Sequence, residues 1–249
     1  MATAVTPPPP SGAPMSEPAR ILNTFIAPSK TFTDLQRNAS WWGPYLLVVL
    51  VTILFAFAMD RQVGFDQISR NEIARSPKRS EQLDKLPADQ KAKNIEISAV
   101  ITKYISYGVP IIALIASLIT AGSLMAAFNV GAGASVSFKT ALAIAMYGGL
   151  PWVIHTLLGI LSMLAGVDKE AFNLNNPVGT NPAFFMDPAG SRPLQALISS
   201  FDVFAIWSIV LLGIGFACNS RVKRGTAIGI VAGVFLIYKL IGAGFALLA

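Results

Sequence analysis

The sequence holds one histidine, His155, and one cysteine, Cys218. A single thiol excludes an internal disulfide and any cysteine-based metal site, and a single imidazole leaves no zinc or haem constellation. No metal and no cofactor is therefore expected. Charge is scarce as well, at 13% of residues, against about 25% in ordinary soluble domains. The opening MATAVTPPPPSGAPMSEPAR is proline-rich, small and polar, with no basic stretch leading into a short apolar run. Residues 1–19 are expected to form a disordered tail, with insertion directed by the first true span. No nucleotide-binding loop, paired catalytic carboxylates or nucleophile motif accompanies His155, so no catalytic residue is assigned.

Apolar length is abundant: 53% of the residues are hydrophobic. Five stretches approach or exceed the roughly 18–20 residues a helix needs to cross hydrocarbon. They cover 41–59, 104–128, 140–165, 201–218 and 226–248, giving an all-α, polytopic bundle of five transmembrane helices. Trp41 and Trp42 suit the interface at the start of the first. Ahead of it, Ile21, Leu22, Phe25 and Ile26 share a helical face, with Phe32 and Leu35 beyond Pro28. This predicts an amphipathic segment lying in the headgroup plane, apolar side down. Pro110 and Pro151 predict kinks in spans two and three. Gly225, Gly229 and Gly233 form a small-residue stripe on span five, expected to pack on another span or another copy of the chain.

The net charge of +6 invites a nucleic-acid reading, but the basic residues lie in short inter-span loops rather than on one surface. Nucleic acid is excluded on that ground, and the cations read as topology signals and headgroup contacts. The polar segment 60–98 mixes both signs and predicts a solvated helical excursion, with a helix start at Pro87 running on into span two. The loop 166–200 is either a cap dipping toward the membrane surface or a flexible connector. Five spans put seven basic residues on the N-terminal side and ten on the other. The compact RVKR at 221–224 outweighs the longer loop, so the N-terminus is expected in the cytoplasm of a bacterial-type inner membrane.

His155, Asp202 and Lys239 fall at similar depth, roughly 20–24 Å from the N-terminal-side boundary at 1.5 Å per residue. A charge facing lipid there costs about 2.5–3.5 kcal/mol. An Asp202–Lys239 ion pair, with His155 hydrogen-bonded at the same level, is the expected remedy. That polar layer reads as a structural clamp, as a proton or substrate pathway, or as part of an intramembrane hydrolase.

Three stretches carry a resemblance: APSKTFTDL before span one, YGGLP in span three, and FDVFAIWSIVLLGIGFACNS at span four. In this order they resemble the bacterial branch of the Yip1 domain family over about residue 21 to the end. The resemblance implies a five-helix integral membrane protein with a cytoplasmic N-terminus. Eukaryotic relatives are associated with small Rab-type GTPases and membrane traffic; the acidic and Tyr-Gly-Pro pattern that precedes their membrane domain is not present here. The function expected is a non-enzymatic membrane organiser or adaptor over residues 20–249. Its expected partners are the lipid bilayer, membrane or cytoplasmic proteins and a second copy of itself. The alternative is a small-molecule or ion transporter or channel working through the polar layer.

Overall fold

The computed structural model describes residues 13–166, 168–186, 190 and 192–248, and among these every regular element is helical. Two short helices, α1 (Glu17–Ile26) and α2 (Pro28–Asp34), precede the long apolar ones. The Ser16 hydroxyl accepts the Ala19 N–H and caps α1, while Pro28 ends it by opening α2. Of the expected tail, residues 1–12 lie outside the described residues. The stretch from Ser16 onward is not tail but cap and helix, tied in by its side chains as set out below.

The apolar helices follow the predicted spans within a few residues, except that the second begins sixteen residues earlier, in the helix expected at Pro87. They are α3 (Trp42–Gln62), α6 (Ala88–Ala126), the pair α7 (Phe138–Gly148) and α8 (Pro151–Leu164), α10 (Val203–Asn219) and α11 (Arg224–Leu248). Four segments are long and apolar enough to cross a membrane: α3, α6 with its continuation to Gly131, α7 with α8, and α11; α10 is shorter, at 17 residues. The chain is therefore a polytopic helical membrane protein. Helix α6 starts where Pro87 predicts and runs 39 residues, about 58 Å. It is nearly twice the hydrocarbon thickness, so much of it stands outside the apolar zone. Helical backbone continues across Pro110. At Pro151 the expected kink is an interruption: α7 stops at Gly148, Gly149 and Leu150 form a turn, and Pro151 opens α8. Proline at the first position of a helix lacks only a donor that would be unsatisfied there anyway.

The chain divides into two compact units. One comprises the described part of Met1–Leu46 with Ala116–Leu150 and Ser208–Phe235. Its core is built on Phe32, Leu35, Phe128, Ile144, Leu212 and Phe216, all buried. The Phe128 and Phe216 rings stack at 4.3 Å. A methyl group at Gly213 would lie 2.7 Å from the Ile228 Cα, and one at Gly215 would lie 2.5 Å from Ile144 Cγ2. Only glycine lets α10 approach so closely. The Gly-Ala loop after α6 is closed by Asn129, whose side chain exchanges two hydrogen bonds with the Val136 backbone, each 2.9 Å.

The other unit comprises Leu47–Ile115, Pro151–Trp207 and the described part of Leu236–Ala249. Here α4 (Phe65–Ala74) and α5 (Pro77–Asp84) fold the polar segment into short helices. Segment 60–98 is less solvated than expected, because Phe65 and Ile68 enter a core with Met59, Val63, Met163 and Phe172. The end of α4 grips the loop after α8. Asn71 donates to the carbonyls of Lys169 and Phe172, and Arg75 to those of Phe172 and Ala171, all within 3.0 Å. With Phe172 buried, the start of this loop is packed and hydrogen-bonded rather than a free connector; further along, the described residues include α9 (Arg192–Ile198) and two 3-10 turns.

Candidate functional site

Arg20 organises the first unit. The capped start of α1 turns its guanidinium inward, leaving it 2% exposed. Asp34 Oδ2 accepts from Nε at 2.8 Å and lies 2.7 Å from Nη2. Nη1 reaches Glu17 Oε1 at 3.4 Å, and the other Glu17 oxygen accepts the Tyr147 hydroxyl at 2.6 Å. The Met15 N–H also points at Asp34 Oδ2, at 3.3 Å. Thr24 and Thr31, both fully buried, donate to the Arg20 carbonyl at 2.8 and 3.0 Å. Burial by itself would lower the guanidinium pKa, but the hydrogen bonds and charge of Asp34 outweigh it and hold the pKa raised. Arg20 is a fixed cation whose charge is met by two carboxylates, the condition for keeping one buried.

In this arrangement α1 packs on the protein through its polar side, which leaves the apolar side expected to face the membrane uncovered. The polar face with Arg20 and Thr24 is inside, whereas Leu22 and Ile26 are 59% and 71% exposed. Amphipathicity was legible, but the side that packs was not. Arg20 and Asp34 meet only because the chain turns back at Ala27–Pro28; along a continuous helix their separation of 14 residues would hold them about 21 Å apart.

Asp202 organises the second unit and is 3% exposed. Its Oδ1 accepts the Phe204 N–H at 2.8 Å, which caps α10. Its Oδ2 accepts from the Thr180 hydroxyl at 2.5 Å and from Asn181 Nδ2 at 3.2 Å. Val203 donates in turn to the Thr180 carbonyl at 3.3 Å. The carboxylate thus ties the loop before α9 to the first turn of α10. His155 lies beside this cap, its ring edge-on to Trp152 at 5.3 Å and to Phe204 at 5.5 Å.

Against known families, the Yip1 domain matches residues 22–246. The chain belongs to the Yip1 domain family. A bacterial relative is a membrane protein, YknW, of Bacillus subtilis (strain 168), 23% identical over 233 residues and aligned over 92% of each chain. Its name says no more than where it resides. No solved structure gives a significant match.

Each stretch that carried the Yip1 resemblance has a physical role. In APSKTFTDL, Phe32 and Leu35 fill the core while Asp34 meets Arg20. In YGGLP, Tyr147 reaches Glu17, Gly148 approaches Leu212, and Gly149 and Leu150 form the turn before Pro151 opens α8. In FDVFAIW, Asp202 caps the helix that the aromatic residues begin.

The predicted polar layer is only partly assembled. Asp202 and His155 come together around Phe204, but His155 meets ring edges where a hydrogen bond was expected. Lys239 is exposed, and among the described residues no ion pair joins it to Asp202, whose oxygens are taken by neutral donors. The glycine stripe also differs. Helix α11 packs through Ala227, Ile228 and Val231, whereas a methyl group at Gly225, Gly229 or Gly233 would meet nothing within 4 Å among the described residues. The close helix approaches are made by Gly213 and Gly215 instead. Among the described residues no three His, Cys, Asp or Glu side chains converge as a metal site.

Proposed function

We propose that this Yip1 family protein is a non-enzymatic membrane organiser or adaptor. It sits in a bacterial-type inner membrane as five spans with the N-terminus in the cytoplasm. The observation that carries this reading is the α1–α2 hairpin. It is an integral part of the helical unit, locked by a buried ion pair, and it holds two exposed leucine-type side chains, Leu22 and Ile26, in fixed positions. A rigid apolar platform beside the membrane is a surface for other components, and substrate turnover has no need of it. Further support comes from α11, where only 11% of its most apolar residues are buried, against 50% in Phe138–Leu164. Such a helix presents most of its circumference to lipid or to a neighbour.

As a fifth span, α10 has 17 residues, about 25 Å. The reading is supported by its far end, where Gln36 donates to the Cys218 carbonyl at 2.6 Å and Asn219 to that of Phe32 at 2.9 Å. Transport through a polar layer loses its motivating contact, since Asp202 is closed by local donors.

The test is thiol accessibility in intact cells. In a Cys218→Ala background, cysteines replacing His155 and Asp202 are probed from either side with a membrane-impermeant reagent. Protection of both in folded protein is expected; reaction at both would contradict the organiser and favour a hydrated pathway.

A further inference from the structure

The two units differ in charge balance. Segments Met1–Leu46, Ala116–Leu150 and Ser208–Phe235 hold seven Lys and Arg but only two acids, Glu17 and Asp34. Both acids are turned onto Arg20, so the remaining cations include exposed Lys30, Lys223 and Arg224 with no surface carboxylate of that unit to balance them. The other unit balances twelve Lys and Arg with eleven acids, several in ion pairs such as Lys85–Glu81 at 2.7 Å and Lys103–Asp60 at 3.0 Å.

The uncompensated charges are gathered. Arg224 Nη2 donates to Ser29 Oγ at 3.0 Å, and Asn219 and Gln36 bind the α10–α11 turn to α2. Lys30 follows Ser29 on α2, the helix that Arg224 contacts. The first turn of the 25-residue helix α11 begins at the same place, adding its unpaired N–H groups and positive dipole end. Leu22 and Ile26 of α1, which packs on α2, supply exposed apolar surface of the same unit. A ligand that fits has an anionic phosphate at one end and hydrocarbon at the other.

We infer that the α2 and α10–α11 turn surface, centred on Lys30, Lys223 and Arg224, binds the phosphate headgroup of an anionic phospholipid. The cations do more than set topology, because the fold gathers them into one patch and removes the only acids that would neutralise it. The inference does not rest on the organiser reading and stands or falls by itself.

Spin-labelled phosphatidylglycerol and phosphatidylcholine, each incorporated with the full-length protein in vesicles, report the fraction of lipid held at the protein. Phosphatidylglycerol is expected to be preferred, and Lys30→Gln/Lys223→Gln/Arg224→Gln to lower its relative association constant by about fivefold or more. Arg70→Gln/Lys93→Gln/Lys169→Gln, with the same net change on the other unit, is expected to leave it unaltered. Melting temperatures of both variants establish that they are folded; should the first triple variant not fold, Lys30→Gln/Lys223→Gln provides the same comparison. No preference in the wild type, a preference surviving the patch substitutions, or an equal loss in both variants would each overturn the inference.

Discussion

At the scale of single residues, Arg20 and Asp202 show two ways of keeping a charge inside a membrane protein. Arg20 has charged partners, so removing Arg20 leaves Asp34 buried without a cation, and removing Asp34 leaves Arg20 only the longer contact to Glu17, at a cost of about 3–5 kcal/mol. Arg20→Ala or Asp34→Ala is expected to destabilise the protein by that amount in chemical unfolding. Replacing both at once, as Arg20→Met with Asp34→Leu, should cost clearly less than the sum, because apolar groups of similar size leave only the partly exposed Glu17 without its cation. Asp202 has neutral partners. Asp202→Ala should cost about 2–4 kcal/mol, from the lost helix cap and the unsatisfied Thr180 and Asn181 donors. Lys239→Ala should leave stability within about 0.5 kcal/mol of the wild type. The Asp202→Lys/Lys239→Asp double reversal should unfold as readily as Asp202→Lys; rescue would restore the ion pair that the sequence suggested. Direction around a helix was not legible for these residues, and a carboxylate two positions from a helical N–H has a nearer partner than any lysine.

At the scale of elements, the period and length of the apolar runs located the helices well, because a run of about 20 apolar residues has few other uses. The glycines were harder to read. Residues 225, 229 and 233 have the spacing of a packing stripe, yet Gly213 and Gly215, only two apart and on different faces, make the close contacts. Spacing reports which residues share a face; what lies opposite that face depends on the tertiary arrangement. Gly213→Ala is expected to lower stability by about 1–3 kcal/mol through overpacking against Ile228. Gly229→Ala should be neutral or raise stability by up to about 1 kcal/mol through helix propensity. Thermal unfolding in detergent separates the two. A large loss at Gly229 in the monomeric protein would mean that its face is covered. The π-helical turn after α6 and the break before Pro151 likewise had only partial signals. Proline marked the second, whereas no local rule marks where an α-helix admits an extra residue per turn.

At the scale of the whole molecule, the pre-membrane segment changes the account most. Read alone, residues 20–37 are a surface amphipathic stretch. In the fold they become a hairpin joined to α7 through Glu17 and Tyr147, to the end of α10 through Phe32 and Gln36, and to α11 through Ser29. The family motifs coincide with these junctions, so the resemblance was recognisable before its physical basis was. The central claim is that this hairpin is built into the membrane domain beside the α10–α11 turn, an arrangement that requires residues 36 and 218 to share a side of the membrane. Cys218, the only native thiol, permits a direct measurement. Gln36→Cys is introduced, native membranes are treated with a short bifunctional thiol reagent, and intramolecular linkage is scored by mass spectrometry of the digested chain. The account predicts efficient 36–218 linkage, sharply reduced when Arg20→Ala is added. Two cysteines that each react with the reagent but never link would contradict it, placing the hairpin away from α10 or the two residues on opposite sides of the bilayer.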